Sequence, residues 1–269
     1  MTDGTPPADL VARLRAAGCV FAEDEAALLL AAADGPALAD LADRRVAGEP
    51  LEHVLGWVEL AGRRWSVGPG VFVPRRRTEL MIRTGLGLAT DAVPPGSDAV
   101  LVDLCCGCGA IGGAVLAALA PGRARLHASD VDPAAVEHAR RNLEPLGGVV
   151  TCGDLFDPLP ADLRARVDVL LCNAPYVPTG AIAGMPPEAR DHEPRTALDG
   201  GADGLDVVRR VAGTADDWLA PGGSLLFEVG EDQVGTATAV VTEAGLDPRV
   251  VRDEDDDGAG GIVVVGTRR

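Results

Sequence analysis

The chain contains no lysine. Its 24 basic side chains are all arginine, and they face 41 Asp and Glu, for a formal net charge of −17. That balance disfavours tight binding to a phosphate backbone, which draws its affinity from clustered cations that displace counterions. No stable nucleic-acid partner is expected. The missing lysine, beside abundant Ala, Gly and Pro, reads as the mark of a GC-rich bacterial genome rather than of function. Also missing is any stretch near the roughly 18 uninterrupted apolar residues of a membrane span. The start, Met1-Thr-Asp-Gly-Thr-Pro-Pro, lacks the basic-then-apolar pattern of a secretion signal. A cytoplasmic protein without a membrane partner is therefore expected. Structural zinc sites need two Cys or Cys/His pairs separated by a loop, and the second pair is absent. Cys105, Cys106 and Cys108 cluster, while Cys19, Cys152 and Cys172 stand alone. Buried reduced thiols and no metal are the expectation.

What is present is enough for a large core: 269 residues, 47% of them hydrophobic, suit one large α/β domain with a smaller appendage. Residues 1–48 carry apolar positions at helical spacing (Leu10, Leu14, then Leu28, Leu29, Ala32) broken at Gly18 and Gly35-Pro36, which predicts a small N-terminal helical domain. Residues 49–75 turn β-rich, in Trp57-Val-Glu-Leu and Val71-Phe-Val, and read as a hairpin linker. Residues 76–269 form the third unit. Beyond Pro94-Pro95-Gly96, strands at 100–104, 125–129, 149–152, 167–172 and 224–229 alternate with helices at 110–119, 133–143, 204–219 and 233–244. Two last strands, 249–252 and 261–266, flank an acidic turn, 253–258, read as a solvated loop. The pattern implies a Rossmann-like, doubly wound and mostly parallel sheet, with one closing antiparallel strand.

The first of these strands ends in Asp103-Leu-Cys-Cys-Gly107-Cys-Gly109-Ala-Ile-Gly112 and runs into a helix. Such a turn lets a ligand approach the main chain. Taken literally, G-x-G-x-x-G suggests a nicotinamide or flavin nucleotide. Asp103 argues instead for S-adenosylmethionine, because a carboxylate there repels a pyrophosphate but suits a cationic amino-acid end, directly or through water. Asp130, closing the second strand, stands where an acid accepts ribose hydroxyls, with Asp132 better placed to cap the next helix. Asp154, in Gly153-Asp-Leu155-Phe, is read as the acceptor for an adenine amino group, with Leu155 packing on the ring. The alternative for Asp154 is an Asp bonded to its own turn.

The fourth strand ends in Cys172-Asn173-Ala174-Pro175-Tyr176, which includes the chain's one tyrosine. This tetrapeptide resembles the Asn-Pro-Pro-Tyr motif of methyltransferases acting on planar nitrogens. The wider chain resembles the HemK-type protein glutamine N(5)-methyltransferases that modify peptide-chain release factors. That resemblance rests on Gly56-Trp57, the segment Pro74-Arg75-Arg-Arg-Thr78-Glu79, the Asp103 turn, and Glu193-Pro194-Arg195 through Gly204-Leu205. It implies a class I methyltransferase fold, and catalysis by Asn173, Ala174, Pro175 and Tyr176. The Asn173 side-chain oxygen and the Ala174 carbonyl would hold the two N–H groups of a glutamine amide. Asp103, Gly107, Gly109, Asp130, Asp154, Leu155 and Asn173 are the expected cofactor residues, and Arg75, Thr78, Glu79 and Glu193 the expected acceptor-binding residues. The implied partner is a protein with a glutamine-bearing loop, a release factor or another. Three departures stand out. Ala174 replaces the first proline, Cys105 replaces a glycine, and Arg76-Arg77 replace the Pro-Glu of the family's Pro-Arg-Pro-Glu-Thr-Glu. The two arginines read either as solvated first-turn residues or as cations that retune the acceptor. A different nitrogen, on a small molecule, peptide or flipped base, is the alternative acceptor, and a binding protein without catalysis the third reading.

Overall fold

The structure is a computed structural model, and it describes residues 7–92, 97–253 and 260–269. The segment Met1-Thr-Asp-Gly-Thr-Pro, the Pro94-Pro95-Gly96 break and all of the acidic turn but Asp253 lie outside the described residues. Four N-terminal helices come first: α1 (Ala8–Ala16), α2 (Ala22–Ala32), α3 (Gly35–Val46) and α4 (Leu51–Leu55). Leu10, Leu14, Ala26, Leu29, Ala42 and Val54 form their common core. Beside it, the buried fork of Arg45 donates to Glu25 at 2.6 Å from Nε.

A hairpin follows, but not with the partners expected. Strand β1 (Trp57–Leu60) pairs with β2 (Arg63–Ser66), and residues 71–73 remain extended and unpaired. The reason is the two-residue turn, Ala61-Gly62, with φ of 51° and 69°. Left-handed values at both centres define the tight turn whose twist matches a hairpin. The hairpin is docked firmly: Asn142 accepts from Ser66 N (2.8 Å) and donates to Ser66 O (2.9 Å) and to Cys108 O (2.8 Å).

Helix α5 (Glu79–Ala92) was not read from the sequence pattern. From there the alternation holds: β3 (Ala99–Leu104), α6 (Ala110–Ala118), β4 (Ala124–Asp130), α7 (Pro133–Leu143), β5 (Val149–Cys152), β6 (Val167–Cys172), α8 (Pro187–His192), α9 (Asp206–Trp218), β7 (Leu219–Glu228), α10 (Val234–Glu243), β8 (Asp247–Arg252) and β9 (Ile262–Thr267). The seven-stranded sheet runs β5-β4-β3-β6-β7-β9-β8, with β9 antiparallel to both neighbours. Strand β7 starts earlier than expected because Leu219 already pairs with Val167 ahead of an irregularity in register.

Successive strand residues point to opposite faces, and the two faces carry separate cores. Ala99 and Leu101 pack with α5, α6 and α7, whereas Val100, Val102 and Leu104 pack with α9 and α10. On α9 the buried residues Val208, Val211, Ala212, Ala215 and Trp218 make one stripe. Cys152, expected to be buried, is exposed, because β5 is the edge of the sheet. All six cysteines are free.

Candidate active site

The chain leaves β3 for one face of the sheet and β6 for the other, so a crevice opens at their C-terminal ends, where α/β sheets bind ligands. A cavity of about 710 Å³ occupies it.

At one end lies the glycine turn. Gly107 (φ 53°) and Gly109 (φ 77°) adopt left-handed backbone, and Cys105 does so too, at φ 52°. A side chain costs about 1 kcal/mol in that conformation. Cys105 is held there with its thiol against that of Cys172, and the contact together with burial pushes the Cys105 thiol well up. Gly112 is wanted for packing, since a Cβ would sit 2.8 Å from Asp103 Oδ2.

Asp103, expected to hold the cofactor's amino-acid end directly or through water, does not line the cavity. It is fully buried behind the turn, where Oδ2 accepts from Gly112 N at 2.9 Å and Oδ1 has no partner. Desolvation pushes its carboxyl up to about 7. Asp130 does line the cavity: Oδ2 accepts from Gly107 N (2.8 Å) and Oδ1 from Asp132 N (2.9 Å), while burial raises its pKa. Two carboxylate oxygens offer about four lone pairs, so acceptor capacity remains. Asp132 caps α7 through Ala134 N at 2.8 Å. Asp154 lies at the cavity edge beside Leu155, but Arg210 holds it in an ion pair at 2.5 Å.

At the other end stand Asn173, Ala174, Pro175 and Tyr176, all on the wall. Asn173 Oδ1 is buried without a partner among the described residues. The Ala174 carbonyl accepts no hydrogen bond from the described residues. The Tyr176 hydroxyl donates to Glu228 Oε1 at 2.6 Å and accepts from Arg77 Nη2 at 2.5 Å. Burial first, then the Glu228 charge, pushes the phenol above its ordinary range.

The expected acceptor-binding residues separate. Arg75 lines the cavity and donates to Glu193 Oε1 at 2.7 Å, but Glu193 stands behind that wall, 1% exposed, its second oxygen unpartnered. Thr78 is buried and donates to Glu228 Oε2 at 2.9 Å; Glu79 accepts from Ala61 N at 3.2 Å in the hairpin turn. Neither reaches the cavity. Of the two further arginines, Arg77 lines the cavity and pairs with Glu228 although its side chain is 45% exposed, whereas Arg76 is exposed and lies off the cavity.

The sequence reading missed Glu228, Gln233 and Arg210. Gln233 donates to the carbonyls of Tyr176 and Asp203, each at 2.8 Å, and so fixes the strand-end loop. The available signal for Glu228 was an acid closing the apolar run Leu225-Leu-Phe.

Sheet order, glycine turn and the Asn-x-Pro-Tyr loop together define a class I methyltransferase. The catalytic domain of hMettl16 agrees in fold, with a TM-score of 0.57 at 15% identity over 87% of this chain and 82% of that one. Residues 83–184 match the family model described as methyltransferase small domain. A "release factor glutamine methyltransferase" of Streptomyces coelicolor is 41% identical over 74% of this chain and 69% of its own. A "4-amino-L-phenylalanine/4-methylamino-L-phenylalanine methyltransferase" of Streptomyces pristinaespiralis is 35% identical over 86% and 78%. The chain belongs to the release factor glutamine methyltransferase family. No helix among the described residues is long and apolar enough to cross a membrane.

Proposed function

We propose that the chain methylates the side-chain amide nitrogen of a glutamine in a protein, a peptide-chain release factor, in the cytoplasm. The observation that carries this reading is Asn173 Oδ1, a buried acceptor on the cavity wall without a partner. An unsatisfied buried acceptor costs about 1–3 kcal/mol, a cost removed when an N–H donor arrives. The free Ala174 carbonyl is its neighbour in sequence, and together they match the two N–H groups of a primary amide.

The residues of the other end fit S-adenosylmethionine. Asp130 would hold the ribose hydroxyls on its remaining lone pairs, and the open main chain at Gly107 and Gly109 would admit the amino-acid end. Asp103 would act from behind the turn, by anchoring Gly112. When bound, the cofactor supplies an electrophilic methyl group on a sulfonium.

An amide nitrogen is a poor nucleophile because its lone pair is delocalised into the carbonyl. Asn173 and the Ala174 carbonyl orient it, so catalysis is chiefly positioning and electrostatics. No strong base is required, since the alkylated nitrogen sheds its proton readily. Tyr176, kept neutral by burial and by Glu228, is a wall and not a base. The test is incubation with labelled cofactor and purified release factors, followed by peptide mass spectrometry. One added methyl on the glutamine of a release factor's Gly-Gly-Gln loop is expected, and an unmodified loop overturns the reading.

A second reading, transfer to the ring amine of a free aromatic amino acid, is favoured by the Streptomyces pristinaespiralis relative, which aligns over more of this chain than the Streptomyces coelicolor one. Ala174, Arg76 and Arg77 depart from the family pattern at the acceptor end, consistent with a changed acceptor. Offering 4-amino-L-phenylalanine in the same assay separates the two.

A further inference from the structure

The Tyr176 hydroxyl has no proton left to donate. Its one proton goes to Glu228 Oε1 (2.6 Å), and Arg77 Nη2 donates to its oxygen (2.5 Å). Arg77 Nε also donates to the same Glu228 oxygen at 2.9 Å, closing a triangle, while Thr78 holds the other carboxylate oxygen at 2.9 Å. The base of the triangle is rigid. Glu228 ends β7, in register with Val263 of β9, and its side chain is 2% exposed; that of Arg77 is 45% exposed and reaches the cavity. The guanidinium lies 5.9 Å from the centre of the Tyr176 ring. A buried carboxylate is tolerated only when paired and hydrogen-bonded. Here Arg77 supplies the charge.

Where this chain has Arg77, the related pattern has Glu. An acid at that position has no N–H to give to the phenol and faces Glu228 with like charge. We propose that Arg77 is a positioning residue of the acceptor pocket: with Glu228 it locks the Tyr176 ring into a fixed wall whose hydroxyl proton is already committed to Glu228. This rests on the methyl-transfer reading above only for the kinetic half of its test.

The chain has one tyrosine, so labelling tyrosine with ¹³C at Cζ gives a single resonance. In Arg77→Met, which keeps an unbranched stem and removes the donors, that resonance is expected to shift and broaden. The KM for the methylated protein should rise about tenfold, with kcat within about threefold and cofactor Kd within about twofold, the pattern of lost acceptor binding rather than lost chemistry. Arg77→Lys keeps a charge beside Glu228 but cannot span both partners, so it should recover most of the KM and part of the shift. If Arg77→Met does not fold, Arg77→Lys carries the measurement, with a partial shift and a KM rise of about threefold expected. An unchanged resonance and KM in a folded variant overturn the proposal. If the wild-type chain methylates neither release factor nor 4-amino-L-phenylalanine, the methyl-transfer reading fails, and the tyrosine resonance alone decides the role of Arg77.

Discussion

The two ends of the cavity are built by different means. At the glycine turn the carboxylates bond to main chain: Asp130 takes the N–H groups of Gly107 and Asp132, and one oxygen of Asp103 that of Gly112. At the acceptor end they are satisfied by side chains from remote elements. Arg77 meets Glu228 across 151 positions, Arg75 meets Glu193 across 118, and the Asn173 oxygen meets nothing. A site made from main chain changes little with side-chain substitution, so it suits a constant cofactor. A site made from paired side chains can be rewritten by a few residues, and Arg77 and Ala174, both on the cavity wall, are where this chain departs from the family pattern.

The sharpest way to break this contrast is a pair of single changes. Asn173→Ala should lower methyl transfer by about a hundredfold or more with cofactor affinity within about twofold. Asp130→Ala should do the converse, weakening the cofactor by about tenfold in calorimetry while acceptor binding holds. Loss of cofactor affinity in the first variant, or none in the second, would merge the two ends. Glu228→Ala comes next, since it strands Arg77 and the Tyr176 hydroxyl together. A stability loss of about 2 kcal/mol in urea unfolding is expected, below the roughly 3–5 kcal/mol of a broken, fully buried pair because Arg77 is half-exposed.

Asp103 tests the main-chain end through pH. Its folded pKa of about 7 lies above the unfolded carboxylate value. The folded state therefore keeps a proton that the unfolded chain releases between about pH 4 and 7. Stability from this group falls as pH rises through that window, by at most about 1.4 kcal/mol per pH unit, and is flat above it. Asp103→Asn should remove that slope from the urea midpoints. The smallest effect belongs to Ala174→Pro. Only the main-chain carbonyl acts there, so activity should stay within about twofold; a larger fall would mean that the Ala174 N–H or its freedom of φ is in use.

Much of the molecule was legible because it follows from local rules. The limits of α7, β5 and β6 coincide with the spacing of apolar residues, and Asp132 caps where a short acid before proline caps. Strand 71–73 failed because the hairpin turn at Ala61-Gly62 chose a nearer partner. Helix α5 went unread although Met81, Ile82 and Ala89 are buried along it. Asp154 could be placed at the cavity edge, but its pairing with Arg210 could not, since the partner lies 56 positions away.

By itself the sequence determined the alternation of strands and helices and the glycine turn, because periodicity and turn chemistry act over a few residues, and it carried the tetrapeptide by which the chain resembles planar-nitrogen methyltransferases. Only the tertiary structure decided that Asp103 anchors from behind the turn, that Glu193 and Thr78 are supports, and that Arg77 and Glu228 hold Tyr176. Each of those roles depends on which side chains the crossovers of the sheet bring within about 3 Å, and hydrogen bonds form only at that range.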